Sequence, residues 1–143
     1  MIETTTPCRA SAAGVHRLLV DIETWALWSP HVASVSPPTG EVHEGWRGSV
    51  RAFFSPTATE MHVTRVRPDG GYAWESHLGP WRLAYDNRVE PIDTGSTIRF
   101  TAELSGPAAE LLERLVAPLS ARGQRRRTER LARLAELVER GAG

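Results

Sequence analysis

The chain has one cysteine, no lysine, no excess of charge of either sign and no long apolar segment. Because Cys8 is alone, no internal disulfide can form, which favours the cytosol. The 17 basic and 17 acidic residues cancel, so no net field attracts nucleic acid or an anionic membrane. No apolar run approaches the ~20 residues of a membrane-spanning helix, and the Thr-rich start does not resemble a signal peptide. We therefore expect a cytoplasmic protein without a nucleic-acid partner and without integral membrane association.

The sequence also lacks the short motifs of common cofactor sites. The five histidines show no H-x-H or HExxH spacing and no pairing with cysteine. There is no G-x-S-x-G motif and no glycine-rich phosphate loop. We expect no metal site and no bound cofactor.

A length of 143 residues with 41% apolar residues is typical of one domain with its own core, here residues 1–143. The pattern predicts a first strand over Ile2–Cys8 and a helix capped by Ser11. The apolar residues of that helix follow the i, i+3, i+4, i+7 spacing: Val15, Leu18, Leu19 and Ile22. A second short helix carries Trp25 and Trp28 and ends at Pro30.

From residue 33 to residue 105 the apolar pattern has period two and is interrupted by glycine and proline turns. It predicts six strands, near Val32–Ser36, Trp46–Phe54, Thr59–Arg67, Tyr72–Leu78, Trp81–Glu90 and Ser96–Leu104. Because the connections are short, we expect an antiparallel meander.

Alternation along these strands separates an apolar, aromatic face from a charged face. The apolar face is predicted to carry Tyr72, Trp74, Ser76, Leu78, Trp81, Leu83, Tyr85, Asn87, Val89, Ile98, Phe100, Ala102 and Leu104. Such a sheet needs a layer packed on one side.

The segment from Pro107 to Arg140 predicts a long final helix. Its apolar stripe consists of Leu111, Leu112, Leu115, Val116 and Leu119, resumed by Leu131, Leu134, Leu137 and Val138. Uninterrupted, it would be roughly 50 Å long. We therefore expect a bend at Pro118 or Gly123, or an end that overhangs the body of the protein.

The order of elements, with the motif Asp21…Trp25…Trp28-Ser29-Pro30, resembles the helix-grip superfamily. Further matching pieces are Gly79-Pro80-Trp81, Glu90-Pro91 followed by Gly95-Ser96-Thr97, and Ser105-Gly106-Pro107. That superfamily (SRPBCC) contains START domains, the birch-pollen-allergen fold and polyketide cyclase/dehydratase-like proteins.

The resemblance implies an α+β fold in which a curved antiparallel sheet of six to seven strands surrounds a long C-terminal helix, with two short helices after the first strand. It also implies a cavity for a lipid, quinone, hormone or polyketide, and, in some members, cyclisation and dehydration of aromatic polyketides without a metal or diffusible cofactor.

Candidate ligand contacts come from the aromatic residues and from the apolar positions of the sheet and final helix. They are Trp28, Trp46, Phe54, Trp74, Ser76, Trp81, Leu83, Phe100, Leu115 and Leu119. Large rings provide contact area at little rotamer cost, although the same residues can simply pack a core, and Trp25 and Trp28 can brace their corner.

Three groups of polar residues are further candidates. Tyr85 and Asn87 lie on the apolar face, where Tyr85 can donate a proton and Asn87 can orient a substrate, or both can form internal hydrogen bonds. Arg122 and Arg126 continue the stripe of Leu119, so they either hold a carboxylate or point to solvent. His31 is a candidate acid or base at the cavity mouth, or a solvated loop residue.

Two functions remain open from the sequence. The first is a small polyketide cyclase/dehydratase-like enzyme with Tyr85 and Asn87 as catalytic residues. The second is a non-catalytic carrier, sequestering or sensing protein for a lipid, quinone or natural product. In either case the partner is a hydrophobic small molecule, and the protein is a monomer or a homodimer.

Overall fold

The computed structural model describes residues 1–142. Its elements are β1 Ile2–Cys8, α1 Ala12–Val20, a 3₁₀ turn Ile22–Thr24, α2 Trp25–Trp28, β2 Val32–Ser36, β3 Arg47–Ala52, β4 Thr59–Arg67, β5 Gly71–Leu78, β6 Trp81–Ile92, β7 Gly95–Ser105 and α3 Ala109–Ala142. None of the helices in this part of the chain is long and apolar enough to cross a membrane.

All seven strands form one antiparallel sheet in the order β1-β7-β6-β5-β4-β3-β2. Strands β2 to β7 are a meander, and β1 pairs with β7 at one edge, with Thr4 opposite Phe100. Register shifts occur in β2 and β4, and such bulges bend strands. The helices pack on one face, called the inner face below. The helix-grip fold expected from the resemblance is confirmed.

The two short helices are placed as the spacing predicts. The Ser11 side chain accepts a hydrogen bond from the Gly14 N–H and caps α1, whose apolar residues are buried. The Trp25 indole N–H donates to the Leu19 carbonyl at 2.8 Å, which ties α2 to α1. The Trp25 ring meets Trp46 edge-on at 6.0 Å, so this pair fixes the corner between α2 and the sheet.

Strand β3 is shorter than predicted, because it begins after Trp46 and ends at Ala52. Phe53 and Phe54 lie instead in an exposed turn, where the Phe53 N–H donates to the His31 carbonyl. The chain reverses before Ser55-Pro56. Alternation of apolar and polar residues does not indicate at which residue a strand ends and a turn begins.

A ladder of hydrogen bonds joins β1 to α3. It pairs Thr4 with Gln124, Thr6 with Thr128, Cys8 with the Ala132 carbonyl, the Arg9 N–H with Glu136 and the Ser11 N–H with Glu139. Two residues of a strand advance about 6.7 Å and four residues of a helix about 6.0 Å, so the period of two over Thr4, Thr6 and Cys8 matches the period of four over their partners on α3. This match fixes the rotation of α3 about its own axis.

That rotation overturns the predicted role of the apolar stripe. Leu111, Leu115, Val116 and Leu119 are exposed, with Leu115 69% and Leu119 73% accessible. Leu112 is half-buried, the other less exposed side chains in that half are small or polar, and Gln124, Thr128 and Leu131 are buried further along. The helix itself continues through Pro118 and Gly123, so neither residue ends it.

Candidate functional site

An inner cavity of about 110 Å³ lies between the sheet and the two helices α2 and α3. It is lined by Trp25, Trp28, Ser29, Val32, Val50, Met61, Tyr72, Trp74, Asn87, Phe100 and Arg127. Helix α3 packs chiefly on β1 and β7, at one edge of the sheet. The cavity therefore forms beside α3, over the strands that this helix does not cover.

A second space of about 280 Å³ adjoins the inner cavity and forms its mouth. It is lined by Ser29, His31, Val32, Val50, Ala52, Thr59, Met61, Trp74, Tyr85 and Arg127. Six residues belong to both linings, so one continuous site runs inward from the mouth: Ser29, Val32, Val50, Met61, Trp74 and Arg127.

Two pairs of rings give the site its walls. Trp74 and Tyr85 are cross-strand partners on β5 and β6, and their rings stack at 4.1 Å with planes 12° apart. Trp28 of α2 meets Phe100 of β7 edge-on at 6.2 Å. The strand alternation brings Trp74, Tyr85, Asn87 and Phe100 to the inner face, as the sequence predicts.

Asn87 has an internal partner. It faces Tyr72 across β5 and β6, and the two side chains form a hydrogen bond. Burial raises the pKa of the Tyr72 phenol well above its usual range, and the bond with Asn87 offsets part of that rise. The pair is thus a neutral polar patch in the cavity wall.

The Tyr85 hydroxyl lies at the mouth, near Arg127. Burial raises the pKa of Tyr85, and the positive charge of Arg127 opposes the rise in part. The phenol therefore stays protonated at neutral pH and can donate a hydrogen bond or a proton.

His31 lies on the rim, between the cavity mouth and the exposed turn that carries Phe53 and Phe54. Its ring is 6.1 Å from Phe54 and 6.5 Å from Phe53. Partial burial lowers the pKa of His31, and the cations Arg127, Arg126 and Arg130 lower it further. The imidazole is therefore neutral at neutral pH and suits the role of a base or hydrogen-bond acceptor.

Arg127 is the functional residue that sequence reasoning did not single out. Its guanidinium carbon lies 5.6 Å from the centre of the Phe100 ring, a cation–π distance. Counting back from buried Leu131 by helical spacing gives Thr128, Arg127 and Gln124, which is the signal that could have found it. Extension of the apolar stripe forward from Leu119 leads instead to Arg122 and Arg126.

Several other predicted ligand contacts lie away from this site. Arg122 and Arg126 are exposed and line a groove between α2 and α3, outside the two linings described above. Phe54 is 71% exposed, beyond His31, and Leu115 and Leu119 are exposed on α3.

The remaining candidates lie within the sheet. Trp46 is buried against Trp25. The Trp81 indole N–H donates to the Pro107 carbonyl at 2.8 Å, at the far end of β6. Leu83 is half-buried opposite Ser76, which is buried and borders a groove between β3, β4 and β5. None of these residues is part of the two linings described above.

Within residues 1–142, no cluster of three or more histidine, cysteine, aspartate or glutamate side chains is arranged to hold a metal ion. The acid–base groups at the mouth are Tyr85 and His31, and the charged group is Arg127.

Comparison with protein families and solved structures gives a consistent assignment. A family model described as polyketide cyclase / dehydrase and lipid transport matches residues 1–139. No curated protein sequence matches the chain.

Among solved structures, the chain is similar to protein MLL2253 from Mesorhizobium loti, with a TM-score of 0.73 and 16% identity over 97% of this chain and 96% of that one. It is also similar to DynU16, described as a putative protein in the dynemicin biosynthetic locus, with a TM-score of 0.71 and 17% identity over 94% of this chain and 46% of that one. Ara h 8.0201 matches with a TM-score of 0.64 and 14% identity over 91% of this chain and 96% of that one.

Proposed function

Because the chain belongs to the polyketide cyclase/dehydrase and lipid transport family, we propose that it binds a small, ring-bearing apolar molecule in the cavity between its sheet and α3. The observation that carries this proposal is the continuous site walled by the stacked pair Trp74–Tyr85 and the edge-on pair Trp28–Phe100. Aromatic walls with a few convergent polar groups are typical of small-molecule sites.

The dimensions favour a small ligand over a long chain. An apolar cavity of about 150 Å³ holds one benzene ring, and drug-sized pockets are roughly 300–1,000 Å³. The inner cavity of about 110 Å³ and the mouth of about 280 Å³ fall at or below the lower end of that range. One or two fused rings match this space.

The test places a bulky side chain in the site from strand β3. The control places the same side chain on the opposite face of that strand. Val50 lines both the cavity and the mouth, whereas the neighbouring Ser49 borders a groove on the outer face. Val50→Phe should lower the affinity for 2-methylnaphthalene at least about tenfold, because the new ring occupies the ligand's space, and Ser49→Phe should leave it unchanged. Equal affinities in both variants, measured by calorimetry on folded protein, would place binding elsewhere.

Native mass spectrometry of freshly purified protein supplies an independent readout. A co-purifying apolar compound should appear with the wild type and with Ser49→Phe, and be lost from Val50→Phe. Its mass would also identify the natural ligand. DynU16, similar in fold, comes from a natural-product locus, which supports a search among polyketide-like compounds.

A second candidate function is cyclisation or dehydration of a short polyketide. It is favoured by the protonated Tyr85 phenol and the neutral His31 imidazole, which line the same mouth. In that reaction the cavity holds the enolate carbon near the carbonyl that it attacks. His31 accepts the proton removed from carbon, and Tyr85 donates one to the oxygen of the attacked carbonyl or, in the dehydration, to the hydroxyl that leaves as water.

Replacing Tyr85 by Phe separates the two functions, since it removes the hydroxyl and keeps the ring that stacks on Trp74. An enzyme should lose turnover by a factor of about 10²–10⁴ while ligand affinity stays close to wild type. A carrier shows no turnover in either form, and its affinity should change only modestly.

A further inference from the structure

Arg127 is the one permanently charged side chain among the described residues that lines both the inner cavity and its mouth. The ladder between β1 and α3 turns it inward, since it lies next to Thr128, whose hydroxyl is 2.8 Å from that of Thr6. Its position is therefore set by the fold, and the guanidinium faces the ligand space.

The charge of this guanidinium is not compensated within the described part of the chain. No carboxylate there lies within 4.0 Å of its nitrogens, and Nε is cut off from solvent without a hydrogen-bond partner. The phenols of Tyr85 and Tyr72 lie nearby, but both stay protonated at neutral pH and carry no charge that would compensate the cation. Burial lowers the pKa of Arg127, yet a guanidinium still remains protonated in a protein.

A second unpaired donor lies in the wall of the same cavity. The Trp28 indole N–H is buried and has no hydrogen-bond partner among the described residues. Buried donors almost always have partners, and the exceptions call for an explanation. Two unpaired donors in one wall, one of them a cation, call for an acceptor that carries negative charge.

The stacked and edge-on rings of the site suit a second, apolar part of the ligand. They bind an apolar body, and the neutral pair Tyr72–Asn87 adds no charge that would repel an anion. Arg126 and Arg130 of α3 add further positive charge near His31, at the rim of the site. The whole site therefore favours an anionic head on an apolar body.

We propose that Arg127 receives the acidic head of the ligand, so that the site selects small ring-bearing carboxylates in their anionic form. This inference rests on the proposed function, because it specifies the ligand class of the same cavity. A carboxylate matches the planar fork of a guanidinium with two parallel hydrogen bonds, and the pairing offsets the desolvation of this partly buried charge.

The test compares three ligands of nearly equal size: 2-naphthoate, the uncharged 2-naphthamide and the apolar 2-methylnaphthalene. Calorimetry at pH 7.5 measures their affinities for the wild type, Arg127→Met, Arg127→Lys and the control Arg133→Met, whose arginine is exposed on α3 and is not one of the cations that act on His31. Thermal unfolding checks that each variant is folded.

We expect the wild type to bind 2-naphthoate at least about tenfold more tightly than 2-naphthamide. Arg127→Met should lose this preference and still bind 2-methylnaphthalene. Arg127→Lys should keep part of the preference, because the charge stays and the planar fork is lost, and the control Arg133→Met should keep all of it.

The outcomes separate the two proposals. If the neutral compounds bind and 2-naphthoate binds no more tightly, the cavity binds ligands and the inference about the acidic head is wrong. The same holds if Arg127→Met retains the preference for the carboxylate. If none of the three compounds binds to the wild type, both proposals are overturned.

Discussion

At the scale of single residues, Gly71 shows how closely the cavity wall is packed. Its φ is +82°, and a Cβ at this position would lie 1.9 Å from the carbonyl oxygen of Asn87. Its N–H donates to Nδ1 of His16 at 3.0 Å, which joins the start of β5 to α1. The strand that carries Asn87 can approach so closely only because glycine has no side chain.

We predict that Gly71→Ala lowers the free energy of unfolding by at least about 3 kcal/mol, because backbone strain and a clash with backbone add together. Gly45→Ala is the matched control, since Gly45 has a φ of +86° and open space around its Cβ position. It should cost about 1–2 kcal/mol, the strain alone. Urea unfolding measures both, and equal losses would show that β5 and β6 move apart easily.

His16 gives a pH dependence at the same scale. Burial lowers the pKa of His16, Asp69 and Glu41 offset part of this, and its Nδ1 accepts the Gly71 N–H, which requires the neutral ring. Since the folded protein binds this proton less readily than the unfolded chain, stability is full above the ordinary histidine pKa of 6.5 and falls as the pH drops below it.

We predict that His16→Gln flattens this decrease in stability between about pH 6.5 and pH 5, because the amide accepts the hydrogen bond and does not titrate there. His43→Gln is the control, because His43 is exposed and contacts only the neighbouring Glu44 carbonyl. An unchanged slope in His16→Gln, measured by urea unfolding at several pH values, would assign the dependence to other groups.

At the scale of elements, the ladder between β1 and α3 decides which side chains reach the cavity. The hydroxyls of Thr6 and Thr128 are 2.8 Å apart, and Thr128 also donates to the Arg125 carbonyl, so it accepts from Thr6. Thr128 has no exposed surface, and its β-branched shape matches valine.

We predict that Thr128→Val costs about 1–3 kcal/mol, because the Thr6 hydroxyl loses its acceptor in a half-buried place. Adding Thr6→Val should recover most of the loss, since replacing both partners by apolar groups of the same shape is close to neutral. A double-mutant cycle by urea unfolding gives the coupling, and additive losses would mean that the two hydroxyls do not interact.

The same ladder explains how much of the structure the sequence could predict. Periodicity is local, and it predicted β1, β2, β4 and α1 and the inner face carrying Trp74, Tyr85 and Phe100. The rotation of α3 is not local, because it is set by pairs 120 or more residues apart, such as Thr4 with Gln124. Arg127 therefore could be found only by counting back from Leu131. The exposed leucines of the apolar stripe favoured a different face of the helix.

At the scale of the whole molecule, stability and ligand binding make opposite demands on Arg127. The helix packs on β1 and β7, which leaves a space over the other strands, and the fold then directs an uncompensated cation into it. Partial burial of an unpaired guanidinium costs free energy of desolvation, and the cation–π contact with Phe100 offsets only part of that cost. The free protein is therefore less stable than its packing alone would make it.

We predict that Arg127→Met raises the free energy of unfolding of the ligand-free protein by roughly 1–3 kcal/mol, because an unbranched apolar side chain replaces the charge with similar volume. The control Arg133→Met should change it by less than about 0.5 kcal/mol, as expected for an exposed position. The measurement is urea unfolding after refolding has removed any bound compound. A loss of stability in Arg127→Met would mean that the guanidinium is compensated in the free protein, and the acidic ligand head would then have no unpaired cation to meet.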